Sequence, residues 1–244
     1  MWPRSPVSDA LVECDDLTIG YGSTPVGQIP DLRVNVGEVV CILGANGAGK
    51  TTTMMTIAGE IPPLGGEVRL HGQKATSPMH RRAKAGLSFV TEERSVIMGI
   101  STRDNLRLAK VTEKAATTLF PELAPLMNRT AGLLSGGEQQ MLTLARALGR
   151  NPTILLADEL SMGLGPIVVD RLLNAVRAAA DRGIGVLLVE QHVRKAMAVA
   201  DRVYVLQRGR IVMEGTAAEV AGDIGQVERA YLSGVVDDDR GGAT

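Results

Sequence analysis

The sequence predicts an α/β fold: a parallel-sheet core with an antiparallel β edge and an inserted small helical subdomain. Three observations carry this. Short apolar runs recur at Val39 to Leu43, Ile154 to Ala157 and Val186 to Val189, each ending in polar or glycine residues, as strands buried on both faces do. Between the last two, Pro166 to Arg182 reads as an amphipathic helix with Ile167, Val168, Leu172 and Val176 on one face. Such alternation of strand and helix is the α/β pattern. Residues 102–148 are helical in pattern but interrupted by Pro121, Pro125, Gly136 and Gly137, which predicts a small lobe inserted into the sheet domain.

The remaining elements follow in order. Leu11 to Val36 contains two β-like stretches joined by "GYGSTPVGQIP", whose glycines and prolines mark turns, so antiparallel strands are expected at the edge. "VYVLQRGRIVMEG", Val203 to Gly215, reads as a hairpin turning near Arg208 and Gly209. The expected organisation is a disordered N-terminus over 1–10, a sheet core at about 11–88 and 150–234, a helical subdomain at about 89–149, and a disordered tail over 235–244. The tail is acidic and then glycine-rich.

Composition narrows the function classes. With 244 residues and 45% apolar content, the chain can bury about three quarters of its unfolded surface in one compact unit. A formal net charge of −1 provides no broad basic field, so nucleic acid is not an expected partner. Cys14 and Cys41 are too few for a disulfide framework. Residues 1–9 hold two prolines and no apolar stretch, unlike a secretory signal. No apolar run approaches the roughly 18 residues of a membrane span, so any link to a membrane is expected to run through a partner.

"GANGAGKTT", Gly44 to Thr52, matches G-x-x-x-x-G-K-[ST] at every fixed position and follows the apolar strand "VVCIL" directly. The residues Gly44, Ala45, Asn46, Gly47, Ala48, Gly49, Lys50, Thr51 and Thr52 thus form a phosphate-binding loop between strand and helix. Backbone N–H groups there lack intrahelical partners and converge on a β-phosphate. Lys50 adds a charge toward the β and γ oxygens, and the Thr51 hydroxyl can ligate magnesium. A nucleotide is therefore the expected ligand.

"TILLADE" runs an apolar strand out into Asp158 and Glu159, at the carboxyl end where open α/β sheets place ligands. Neighbouring strand side chains point to opposite faces, so the two acids take different tasks. Asp158 suits a magnesium shell; Glu159 suits the orientation or deprotonation of an attacking water. "LLVEQH", Leu187 to His192, repeats the pattern. His192 there can either bond a γ-phosphate or the attacking water, or fill a structural role.

"LLSGGEQQ", Leu133 to Gln140, is a second glycine-rich segment without a lysine. Ser135 and Glu138 fit a capping box ahead of a helix. A cap exposes the same amides that bind anions, so capping and phosphate contact are compatible.

Taken in order, the phosphate loop, "LSGGEQQ", "ILLADE" and a histidine after the next strand resemble the nucleotide-binding subunit of an ABC transporter, over about Leu11 to Gly234. The segments "SGGEQQM", "DELSMGLGP", "VEQHVRKAMAVADRVYVLQRGRIV" and "AYLSG" resemble the subunits that energise branched-chain amino acid uptake; those for urea or lipopolysaccharide are similar. The resemblance implies a RecA-like P-loop NTPase core, ATP and Mg2+ as cofactors, and an ATPase held at the cytoplasmic face of the membrane by permease subunits. A solute-binding protein is then an indirect partner. It implies a homodimer, or a heterodimer with a paralogous ATPase subunit, in which Ser135, Gly136, Gly137 and Glu138 of one chain meet the ATP held by Lys50 of the other. Tyr21 matches the aromatic residue that stacks on adenine, and Ser161 to Leu164 match a loop crossing the dimer interface. The region from Met79 to Leu106 would face the permease.

Three departures from the family pattern stand out, one being a helical lobe between Leu106 and Leu133 that looks shorter than usual. The usual magnesium-contacting glutamine aligns with Glu92 in "FVTEERS", with Glu93 as a rival. Leu160 replaces the proline that follows the catalytic glutamate. The alternative function is a soluble ABC-type ATPase that switches translation, DNA repair or cofactor assembly. A single ATPase unit without a heptad run reads against it.

Overall fold

The computed structural model describes residues 9–227 apart from 94, 224 and 226. It begins with two long antiparallel strands, β1 (Ala10–Tyr21) and β2 (Thr24–Asn35), followed by β3 (Val39–Leu43) and α1 (Lys50–Ala58). Next come β4 (Gly65–Leu70), β5 (Gln73–Lys74), α2 (Met79–Lys84) and β6 (Leu87–Val90). Helices then dominate: α3 (Thr102–Leu108), α4 (Glu113–Leu119), 3-10 turns at Pro121–Leu126 and Ala131–Leu133, and α5 (Gly136–Leu148). Then follow β7 (Ile154–Asp158), α6 (Pro166–Ala180), β8 (Gly185–Val189), α7 (Val193–Met197), β9 (Arg202–Gln207), β10 (Arg210–Thr216) and α8 (Ala217–Gly222).

The ten strands of the described residues join one sheet in the order β5-β4-β1-β2-β10-β9-β3-β8-β7-β6. The half running from β9 to β6 is parallel, while β5, β4, β1 and β2 pair antiparallel, as do β9 and β10. Alternation along the central strands builds both faces of the core. Val39, Cys41 and Leu43 join one apolar cluster with Leu155, Ala157, Val186 and Leu188; Val40 and Ile42 join the other with Ile154, Leu156, Leu187 and Val189. This is the period-2 pattern of strands covered on both sides, and it explains why they read as unbroken apolar runs.

Register delivers the chemistry. Ile42 lies opposite Val189, and Val189 lies opposite Asp158, so β3, β8 and β7 reach their carboxyl ends at one level. The residues that follow each strand leave the sheet at the same edge, where α/β folds bind ligands.

Several expectations shift. Ala10, expected in the disordered stretch, opens β1 opposite Asn35, and Val36 N–H donates to the Asp9 carbonyl at 3.0 Å. Pairing satisfies those backbone groups and so orders them. Residues 1–8, the tail over 235–244 and "AYLSG" lie outside the described residues. Phe89 and Val90, expected in the helical segment, are strand β6, and the first helix after them starts at Thr102. On α6 the buried stripe is Val169, Leu172, Leu173, Val176 and Ala180, whereas Ile167 is 84% exposed. At about 100° per residue, Ile167 sits roughly 200° from Val169, off the stripe.

Arg82 anchors the helix that follows the phosphate loop. Its guanidinium is buried and donates to the carbonyls of Ile57 at 2.7 Å and Thr56 at 3.2 Å, at the C-terminal end of α1, and to Ser77 at 2.7 Å and Ala75 at 2.6 Å. A cation there also meets the negative end of the helix dipole. Arg82→Ala strands these carbonyls, and a loss of about 2–4 kcal/mol in urea unfolding is expected from charged hydrogen bonds and orphaned acceptors. A loss under about 1 kcal/mol would contradict the anchoring role.

Candidate functional site

The loop from Gly44 to Gly49 leaves β3 and turns into α1. Gly44 approaches the neighbouring strand closely: a Cβ there would lie 2.4 Å from the Leu206 carbonyl oxygen. Gly49, at φ +100°, supplies the left-handed step that starts the helix. Ala48 N–H donates to the Ala45 carbonyl at 3.1 Å, and the Ala48 carbonyl accepts from Gly209 N–H at 3.0 Å, tying the loop to the β9–β10 turn. Lys50 is almost fully buried and folds over this loop, donating to the carbonyls of Gly44 at 2.9 Å and Ala45 at 3.1 Å. Its ammonium also lies 3.7 Å from a Glu159 carboxylate oxygen. The opening turn of α1 adds N–H groups that an anion can accept.

Around this loop lies a cleft of about 420 Å³, the size of a small-molecule site. Asn46, Gly47, Gly49, Lys50, Thr51 and Thr52 line one side, and Tyr21, Glu92, Glu159, Met162 and Gln191 complete it. Tyr21 ends β1 with half its surface exposed and its hydroxyl 3.4 Å from the Thr52 hydroxyl. A flat exposed ring beside a phosphate loop is a surface on which a base can stack. Gly44, Ala45 and Ala48 shape the loop rather than the wall of the cleft.

The acids differ as their strand positions require. Asp158 ends β7 and is buried; burial pushes its carboxyl up to about 6 against a hydrogen bond from Thr51, which lowers it. One of its oxygens, Oδ1, is buried without a hydrogen-bond partner. An orphaned acceptor next to a threonine hydroxyl fits a hard cation such as magnesium. Glu92 lines the same cleft and its charge is felt at Asp158, whereas Glu93 does not line it. Among the described residues no three His, Cys, Asp or Glu side chains group into a self-sufficient metal site. Magnesium needs none, since one or two carboxylates plus substrate phosphates suffice.

Glu159 stands just beyond β7 with φ +49°, a left-handed backbone that is costly for a non-glycine residue. Its N–H donates to the Val189 carbonyl at 2.9 Å, and its carboxylate faces the cleft. Besides Lys50, that carboxylate meets Gln191, whose amide donates to Glu159 at 2.8 Å and to Asn46 Oδ1 at 3.2 Å. His192, expected to reach the terminal phosphate, comes one residue later. It is exposed, occupies the cap position of α7 and does not line the cleft. β8 stops at Val189, so Glu190 and Gln191 precede the His192 cap of α7.

Glu190 is a second residue that the sequence reading passed over. It is buried, with Oε1 accepting Ser161 N–H at 3.1 Å and Oε2 bonded to the Ser161 hydroxyl. Burial pushes its carboxyl up to about 7, against the lowering effect of the Ser161 bonds. An apolar run ending in an acid was the available signal, the same as in "TILLADE".

The second glycine segment forms the N-terminus of α5. Ser135 Oγ accepts Glu138 N–H at 3.3 Å, and Glu138 Oε2 accepts Ser135 N–H at 2.6 Å, a complete capping box. The Glu138 carboxylate is thus engaged in the cap. Gly137 is buried against α6: a Cβ there would lie 3.0 Å from Val168 Cγ1. None of Ser135, Gly136, Gly137 or Glu138 lines the cleft around Lys50 of the same chain.

Comparison with known proteins agrees with this architecture. The family described as ABC transporter matches residues 28–161. The high-affinity branched-chain amino acid transport ATP-binding protein BraG of Pseudomonas aeruginosa is 35% identical, over 92% of this chain and all of that protein. The lipopolysaccharide export system ATP-binding protein LptB of Escherichia coli K12 is 33% identical, over 91% of this chain and 97% of that one. A solved ATP-binding cassette of an ABC transporter, in its ADP conformation, superposes with a TM-score of 0.81 at 23% identity, covering 91% of this chain and 98% of its own. The chain belongs to the ABC transporter family, as an ATP-binding and ATP-hydrolysing subunit of a transporter.

Proposed function

We propose that this subunit drives uptake of branched-chain amino acids through a separate membrane permease, hydrolysing ATP in the cleft between Lys50 and Glu159. The observation that carries the chemistry is the convergence of Lys50, Thr51, Glu92 and Glu159 on one cleft, backed by the buried Asp158. Lys50 and the loop amides bind the phosphates, and Tyr21 takes the base. The Thr51 hydroxyl, Asp158 and Glu92 would hold a magnesium ion, whose charge would offset that of the phosphates. Glu159 orients and deprotonates the attacking water, and Gln191 steadies its carboxylate.

The capped terminus at Ser135 to Gly137 serves the ATP of a second subunit, either an identical chain or a paralogue. Its amides are displayed at a helix N-terminus, yet lie outside the chain's own nucleotide cleft. ATP then acts as the cement of a closed dimer, and loss of its terminal phosphate reopens it.

Membrane attachment rests on the permease. No helix among the described residues is long and apolar enough to cross a membrane. A groove of about 340 Å³, lined by Met79, His80, Phe89, Leu108 and Arg146 among others, lies in the region expected to receive the permease. Met79 and Leu108 are exposed, as a docking surface requires. The likeness to BraG supports branched-chain amino acid transport; a solute-binding protein upstream and a place at the cytoplasmic face of the membrane complete the proposal. The likeness to LptB favours lipopolysaccharide export as the second reading.

Glu159→Gln should bind ATP within a few-fold of the wild type while turnover falls about 100-fold or more, as loss of a general base requires. Ordinary hydrolysis by that variant would remove Glu159 from the role. Gentle extraction of membranes from cells carrying the tagged chain should recover hydrophobic permease chains in stable complex. Recovery of ribosomes or a nuclease instead would replace transport with a switch function.

A further inference from the structure

Glu159 is held in a backbone conformation that it would not adopt alone, and the structure contains two ties that hold it. Both come from the end of β8. On one side of the Glu159–Leu160 step, Glu159 N–H donates to the Val189 carbonyl at 2.9 Å. On the other, the next residue of the same strand end, Glu190, takes both the N–H and the hydroxyl of Ser161. Both partners are nearly solvent-free, at 1% and 3% exposure, so water does not compete for these bonds. The residue after Glu190 is Gln191, whose side-chain amide donates to the Glu159 carboxylate at 2.8 Å. A closed ring results: Glu159 to Gln191, Gln191 back along the chain to Glu190, Glu190 to Ser161, and Ser161 back along the chain to Glu159.

We propose that Glu190 is a positioning residue for hydrolysis, whose clamp on Ser161 fixes the turn that aims the Glu159 carboxylate into the cleft. The inference rests on the reading of Glu159 as the base. Glu190 does not line the cleft. Its effect passes through Ser161, in the loop that also carries Met162 into the cleft wall. A left-handed residue persists only where its surroundings over-determine it, and Leu160, buried at 1% exposure, contributes packing without a directional bond. Removing the clamp frees the turn to relax, which withdraws the base while the phosphate loop, built on β3 and α1, keeps its hold on nucleotide.

The test is steady-state ATP hydrolysis by the full chain. Glu190→Ala should lower kcat at least tenfold with KM for ATP within twofold. Glu190→Gln offers one acceptor and one donor to the same Ser161 pair and should recover most of that loss. The double variant Glu190→Ala, Ser161→Ala should be no slower than Glu190→Ala alone, since both cut one clamp. A wild-type kcat in Glu190→Ala, or a Glu190→Gln variant as slow as Glu190→Ala, overturns the proposal. If circular dichroism finds Glu190→Ala unfolded, Ser161→Ala decides: a several-fold fall in kcat at constant KM supports the clamp, and an unchanged kcat overturns it. Glu159→Gln, assayed alongside, separates the two claims. Full activity there removes the base, whereas an inactive Glu159→Gln beside a fully active Glu190→Ala removes only the positioning role.

Discussion

The in-register parallel pairing of β3, β8 and β7 is the constraint on which the site depends. Because Ile42, Val189 and Asp158 lie level, three successive strand ends emerge at one edge. Each ends in different chemistry: a phosphate loop after β3, the proposed metal ligand and proposed base at the end of β7, and an acid and an amide after β8. The three strand ends themselves are about 30 or more residues apart in sequence. A one-residue slip of β7 against β8 would turn Asp158 to the opposite face and dissolve the arrangement. The two apolar faces of the sheet set that register, so core packing is what aims the charged residues.

Burial then sets how those residues behave. Lys50 is nearly solvent-free and is satisfied by two loop carbonyls and the nearby Glu159 carboxylate. A buried charge without such partners would be far more costly. Asp158 carries an unsatisfied oxygen and a carboxyl whose proton is held to about 6, so the folded chain stores an uncompensated acceptor that a cation relieves. Such strain at a ligand site is functional only if the scaffold holds it. Here Arg82 at the end of α1 and the Glu190 clamp at the end of β8 provide that hold from outside the cleft.

Much of this was legible in the sequence, for identifiable reasons. Unbroken apolar runs marked the central strands because both faces are covered, and the spacing of Gly44, Gly49, Lys50 and Thr51 has few uses besides a phosphate. The misses share a cause: one-residue resolution at element ends. "LLVEQH" announced a strand leading to polar side chains, but not where the strand stops. Because β8 ends at Val189, the amide that reaches Glu159 belongs to Gln191, and Glu190 is buried. Ile167 was assigned to the apolar face of α6 on type alone, while the phase of the helix leaves it in solvent. Tertiary contacts such as Arg82 with the α1 carbonyls span 25 or more residues and leave no local pattern.

The central functional claim is that each ATP is shared, with Lys50 of one subunit on one side and Ser135 to Gly137 of the other on the far side. Mixing two inactive variants of this chain tests it most directly. In a mixed dimer of Lys50→Ala with Gly136→Asp chains, both defects fall on one site and the other site is composed entirely of intact halves. The account predicts that each variant alone is inactive and that the mixture regains ATP hydrolysis. A mixture as inactive as its components would contradict it.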